Sequence, residues 1–303
     1  MKFVLACLLL TIATFANSGQ NKSQKPASSQ EPNSAQSEIK VELNRVAELY
    51  RRGDFLEAQR HAERAVSLDP SNRTALIFLA RVRHQRFKPQ DETPENIELA
   101  RAAIAAYQSL LSLDWENEEA YKAIAVLYAK IHEDQLLEQW ILQRASNAQF
   151  SNEKRAEAYA ALAGKYWDCS YRITELPDTK IVDMKGNSAT VVYKKPKDPF
   201  QFEKLKQCVL KGLELADMAL VLDYNSESAW SYKTNLLLEN AKLDEMEGMD
   251  LAKANHLKEA NQTQARASKL AEERRRREEE GSAESQPNPR PSPPPRVPIK
   301  PMF

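Results

Sequence analysis

Histidine, cysteine and paired carboxylates are the side chains with which most proteins do chemistry, and here their spacing argues against it. The histidines stand at positions 61, 84, 132 and 256. No two share a helix face as a zinc pair would, and no cysteine joins them at ligand spacing. There is no GxxxxGK[ST] phosphate loop, no GxGxxG turn and no GxSxG elbow, and a chain with 7 glycines in 303 residues has little material for one. No cysteine has an obvious histidine partner for nucleophilic work. Acidic doublets such as Glu118-Glu119 and Asp244-Glu245 read as exposed helix starts, where they would complement the helix dipole. Trp140, Trp167 and Trp230 fall at helical spacing and read as core or groove wall rather than a carbohydrate platform. These residues predict no catalytic centre, no cofactor and no metal.

What remains is cysteine chemistry, which depends on compartment. Residues 1–16, MKFVLACLLLTIATFA, place one Lys before an apolar run from Phe3 to Phe15, with small residues near Ala16. That is the order of a secretory signal peptide. The run is shorter than the ~20 residues a membrane span needs, so an uncleaved anchor is the lesser alternative and the only membrane attachment expected. Export, to a bacterial periplasm or envelope or otherwise to the outside, leaves Cys169 and Cys208 where disulfides form.

Composition sets the class. With 43 basic and 43 acidic side chains, nothing pulls the chain toward nucleic acid. The hydrophobic share of 42% allows a sizeable core, and abundant Ala, Glu, Leu, Lys and Arg predict an all-α protein. Residues 17–37 carry almost no large apolar side chain and read as a disordered spacer. Helical periodicity then begins with Leu43, Val46 and Leu49-Tyr50, and resumes after Gly53-Asp54 with Phe55, Ala58, Ala62, Ala65 and Leu68. Gly53 suits the left-handed end of the first helix, Asp54 can cap the second, and Asp69-Pro70 stops it. The unit is a helical hairpin of about thirty-four residues, too small to bury its faces alone. Echoes of its closing SLDPSN occur at Ser112–Asn117 and Val221–Ser226.

The residues GDF, Ala58, Ala65 and LDPSN resemble the tetratricopeptide repeat (TPR) pattern, over about residues 38–243. The resemblance implies an α-solenoid of about five hairpins that holds a protein or peptide partner in its groove and has no catalytic role of its own. Departures are visible. RFKPQDETPEN, residues 86–96, lengthens one turn, and His132 and Leu137 replace the family's turn glycine and small packing residue. Residues 173–199 are an insertion in which Lys180–Met184 and Ala189–Tyr193 flank Gly186-Asn187, a β-hairpin signal that should lean on the helices. Cys169 and Cys208 flank that insertion at one end of a hairpin, so a disulfide there is one reading and two buried thiols the other.

Residues 244–281 read as a charged helix that caps the last repeat at its beginning and extends into solvent beyond, with coiled-coil self-association as the alternative role. Residues 282–303 form a proline-rich tail suited to extended polyproline II, a spacer or a ligand for an aromatic groove. Alignment on LDPSN places Leu43, Ala47, Tyr50 and Arg51 of the first unit toward the groove. Ile77, Arg81 and His84 follow, then Lys122, Val126 and Lys130, then Trp167 and Asn235. This mixed surface suits a peptide with apolar anchors and some acidic character. Leu43 and Ala47 stand where chaperone-tail clamps of the family carry Lys and Asn, which argues against that specificity. An enzymatic site beside the insertion, around Trp167, Asp168 and Tyr171, and a self-associating scaffold are the competing classes.

Overall fold

The computed structural model describes residues 32–185 and 188–284. The leader, most of the spacer, the Gly186-Asn187 turn and the tail from residue 285 lie outside them. Ten helices and two strands are described: α1 (Pro32–Arg52), α2 (Phe55–Leu68), α3 (Arg73–Arg86), α4 (Pro94–Leu111), α5 (Glu118–Lys130), α6 (Asp134–Ser146), α7 (Asn152–Thr174), β1 (Lys180–Lys185), β2 (Ser188–Tyr193), α8 (Pro199–Leu222), α9 (Glu227–Glu247) and α10 (Asp250–Glu284). Consecutive helices pair into five hairpins, the TPR-like α-solenoid that the repeats imply. No described helix is long and apolar enough to cross a membrane.

Two kinds of turn alternate. Between hairpins, Asn72, Asn117, Ser151 and Ser226 each accept a backbone N–H from the first turn of the next helix, a repeated N-cap. Within hairpins, three turns share one hydrogen-bond pattern: Asp54 N donates to Leu49 O, Glu133 N to Tyr128 O and Met249 N to Asp244 O. Each requires a left-handed residue, supplied by Gly53 (φ 80°), His132 (φ 57°) and Gly248 (φ 72°). His132 therefore keeps the backbone of the glycine it replaces, at a steric cost to its Cβ. Its side chain is 77% exposed, with Nε2 3.8 Å from a carboxylate oxygen of Glu92. His132→Gly is expected to raise the unfolding free energy by about 0.5–1 kcal/mol, read from urea titration.

The long turn of the second hairpin has a clamp as well as helix breakers. Pro94 occupies the first turn of α4, where its missing N–H costs nothing. Asn96, buried, accepts from Lys88 N (2.9 Å) and donates to Lys88 O (2.8 Å) and Asp91 O (2.5 Å), which satisfies the turn's backbone from inside.

The interior is alanine-rich because helices approach closely. Ala58, Ala62 and Ala65 are fully buried, and one core runs through α1 to α5 around Val46, Leu79, Ile124 and Leu127. A second joins α6 to α9 around Leu162, Leu215 and Leu236. Where α8 crosses α9, a Cβ on Gly212 would stand 2.5 Å from a methyl of the fully buried Leu236 side chain, which would have to shift to admit it.

Three boundaries differ from the sequence reading. α1 starts at Pro32, inside the expected spacer. α9 runs past the expected boundary between residues 243 and 244 to Glu247 and ends at Gly248, so the left-handed glycine sets its end. α10 is packed well beyond its beginning, because Ala260, Thr263, Ala267 and Leu270 are all buried against the repeat. The strands pair antiparallel with Lys180 opposite Tyr193, and the hairpin rests on α9 through Tyr193 N, which donates to Glu245 Oε1 at 3.0 Å.

Candidate binding face

The first helices of the hairpins, α1, α3, α5, α7 and α9, carry the residues assigned to the groove. At the N-terminal end, α1 and α3 enclose a depression of about 530 Å³. Ile39, Leu43, Ala47 and Phe78 supply its apolar surface, and Lys40, Asn44, Asp69 and Thr74 stand among its polar lining groups. Of the twelve assigned residues, Leu43 and Ala47 line it directly. Tyr50 lies beyond it, half-buried and edge-on to Phe55 at 5.4 Å. Ile77 is partly buried and packs on the first core, so its role is largely structural.

Farther along, the face is knitted by ion pairs between successive first helices. Arg81 donates from Nε and Nη2 to the two carboxylate oxygens of Glu119, at 2.6 and 2.5 Å. That fork holds Glu119 below the usual carboxylate range and raises Arg81. Lys122 stands 3.4 Å from Glu157 in the same relation one hairpin on. Arg81 and Lys122, two of the basic residues assigned to the groove, therefore each have a carboxylate partner within the chain. His84 Nδ1 lies 3.4 Å from the Tyr107 hydroxyl, and burial lowers its pKa while Glu119 opposes that shift, so the imidazole is neutral at pH 7.

Arg51 is exposed and donates to Ala47 O in its own helix at 3.1 Å. Lys130 is exposed, and Val126 is 49% exposed, the largest apolar surface among the assigned residues of α5. Trp167 is absorbed into the second core's edge, against Tyr171 (5.5 Å) and Tyr232 (6.2 Å). Asn235 is half-buried on α9. The structure thus joins Leu43 to Ala47 in one depression and spreads the others along the helices. Sequence reasoning missed Glu119 and Glu157, whose partners lie 38 and 35 residues earlier; one repeat length was the available signal.

Beside the insertion the carboxylates are already engaged. Glu239 accepts from Thr174 Oγ1 (2.7 Å) and Lys242 Nζ (2.7 Å), and Glu245 from Lys253 Nζ (2.7 Å). A cavity of about 510 Å³ near Cys169 is lined by Asp134, Glu138, Asp168 and Lys165 among others. Burial pushes the Glu138 carboxyl up, but hydrogen bonds from Tyr166 and Lys165 outweigh it and hold the group below its ordinary range. Asp168 pairs with Arg172 at 2.7 Å.

Cys169 and Cys208 are joined, with sulfurs 2.06 Å and Cα atoms 6.1 Å apart, so α7 and α8 are tied at the end from which the insertion departs.

No family model and no curated protein matches the sequence. Among solved structures, a MamA protein is similar over 77% of this chain and 96% of its own, at 16% identity and a TM-score of 0.40. The pilF protein of Pseudomonas aeruginosa is similar over 83% and 100%, at 13% identity and a TM-score of 0.36. YrrB, described as a TPR protein with an unusual peptide-binding site, is similar over 71% and 84%, at 12% identity and a TM-score of 0.34. The class rests on the helices themselves: a TPR-like α-solenoid of five hairpins with a β-hairpin insertion.

Proposed function

We infer that this chain is a noncatalytic interaction protein that holds a segment of a partner protein along the first-helix face. The observation that carries this reading is the open depression between α1 and α3, where Leu43, Ala47 and Phe78 offer apolar surface beside Lys40, Asn44 and Thr74. An apolar floor with a few polar groups at its edge is how such grooves fix a peptide's anchor residue. Because Arg81 and Lys122 already have carboxylate partners, an apolar anchor supplies most of the affinity and acidic partner residues exchange with Glu119 and Glu157. The leader and the cysteine pair support an exported protein acting at the envelope or outside the cell. The engaged carboxylates beside the insertion favour binding over hydrolysis.

The test is affinity capture with the mature chain from extracts of its native source. Ala47→Trp fills the depression from a half-buried position on its lining and is expected to leave the chain folded, with an unchanged far-ultraviolet circular dichroism spectrum, while partner recovery falls about tenfold or more, the order of one lost hot spot. Charge reversal at Arg81 and Lys122 is expected to weaken recovery less. Equal recovery by Ala47→Trp and the parent chain would move the contact off this face.

A further inference from the structure

The edge of the solenoid formed by the turns between hairpins carries a second, chemically different surface. Trp115, 48% exposed in the α4–α5 turn, packs on Phe150 of the α6–α7 turn with ring centroids 4.9 Å apart. Behind them Tyr121 stacks on Trp140 at 5.6 Å, and the Arg144 guanidinium lies over Tyr121 at 4.0 Å. Together they line a cavity of about 190 Å³. The indole N–H groups of Trp140 and Trp230 donate to the backbone oxygens of Tyr121 and Tyr224. No described residue accepts from that of Trp115. An exposed indole edge over an aromatic floor is the surface that takes polyproline II, whose ridges pack on rings and whose carbonyls accept indole N–H.

We propose that this aromatic cavity is a polyproline-binding site occupied by the chain's own C-terminal segment, residues 295–301. Three observations select that occupant. Residues 285–303 contain eight prolines, and Pro295, Pro298 and Pro301 recur every third residue, which places them on one ridge of a three-fold helix. Topology brings the segment to the right edge. α7 to α10 alternate in direction, so the 147–151 and 223–226 turns share an edge, and α10 runs toward it, bonding Asn225 through Arg266 and Glu227 through Arg274.

Length agrees. Ten residues of α10 beyond Arg274 overhang by about 15 Å, and two helix widths back to the cavity add about 20 Å. The eleven residues from Glu284 to Pro295 span about 34 Å in polyproline II.

The experiment uses the full mature chain labelled with 5-fluorotryptophan, the Trp115 signal being assigned through Trp115→Phe. Replacing Pro295, Pro298 and Pro301 by Gly removes the ridge and keeps length and charge. The expected result is a shift of the Trp115 fluorine resonance in that variant, with Trp167 and Trp230 unmoved and the parent spectrum unchanged on dilution. A p-benzoylphenylalanine placed at Ile299 is expected to crosslink within the same chain to the Trp115 or Phe150 turn. A Trp115 resonance indifferent to the glycine substitutions overturns the proposal. So does a crosslink found only between chains, which would assign the occupant to a second copy. Neither outcome bears on the α1–α3 depression, which is tested by Ala47→Trp.

Discussion

Lys242→Met is expected to lower the unfolding free energy by about 3–5 kcal/mol, the cost of leaving a buried charge without its partner. The Glu239 side chain is 3% exposed, and its carboxylate is held by the Lys242 ammonium at 2.7 Å and the Thr174 hydroxyl at 2.7 Å. Lys242 also reaches Thr174 Oγ1 at 3.2 Å, and its ammonium lies 4.8 Å from the centre of the Tyr193 ring and 5.5 Å from that of Tyr171. One cation therefore ties α7, α9 and β2 together, and methionine keeps its stem while deleting its charge. The remaining hydroxyl cannot offset desolvation of a carboxylate. Urea titration of Lys242→Met measures the loss, and the double variant Glu239→Leu/Lys242→Met is expected to recover most of it, because an apolar pair of similar volume has no charge to solvate. A single-variant loss below about 1 kcal/mol would mean that water reaches Glu239 and the pair is a surface one.

This cluster also shows where sequence reading stops. The hairpin periodicity of α1 and α2 is legible because each apolar position recurs within one turn of its own helix, and the turn glycine is legible because backbone conformation restricts residue type locally. His132 shows the same logic, since the repeat register identifies its position as left-handed whatever residue fills it. The strands of the insertion are legible from β-branched residues on either side of Gly186-Asn187. Partners one repeat away are not. Arg81 reads as a groove-facing residue, but its partner is invisible until α5 is placed beside it, because Glu119 lies 38 residues on and the lengthened 86–96 turn breaks the regular repeat spacing.

The seam of α10 is hidden for another reason. Ala260, Thr263 and Ala267 bury themselves against the repeat at helical spacing, but small side chains add little to any hydrophobic stripe. Glu239 looks like an ordinary solvated helix residue, and only the packing of α9 against α7 and the hairpin makes it buried. In the candidate site, Leu43 and Ala47 could be placed from the repeat register alone. Whether they bordered open space or a neighbouring helix depended on the Phe78 and Asn44 side chains, which no local pattern specifies.

Cys169→Ala/Cys208→Ala is expected to lower the unfolding free energy by roughly 2–4 kcal/mol under oxidising conditions. The bridge spans 39 residues, and the loop it closes contains the end of α7, both strands and the start of α8. Its main effect is on the unfolded chain, whose conformational freedom it removes. Packing around it is independent of the bond: Ile173, Leu205, Val209 and Leu243 form a buried cluster with Cys169 at its edge, so the variant folds and is only less stable. Reduction separates the two contributions. Parent protein in excess dithiothreitol keeps both sulfurs in place and loses only the constraint. Its stability is expected to fall to within about 1 kcal/mol of the alanine variant, whose own value reductant leaves unchanged; the remaining gap is the packing of two thiols. Hydrogen exchange should report the same loss locally, rising in β1, β2 and the adjoining turns of α7 and α8 and staying constant in α1–α4, which lie outside the loop. Parent and variant melts that coincide under oxidising conditions would show that the helices alone hold this end of the hairpin.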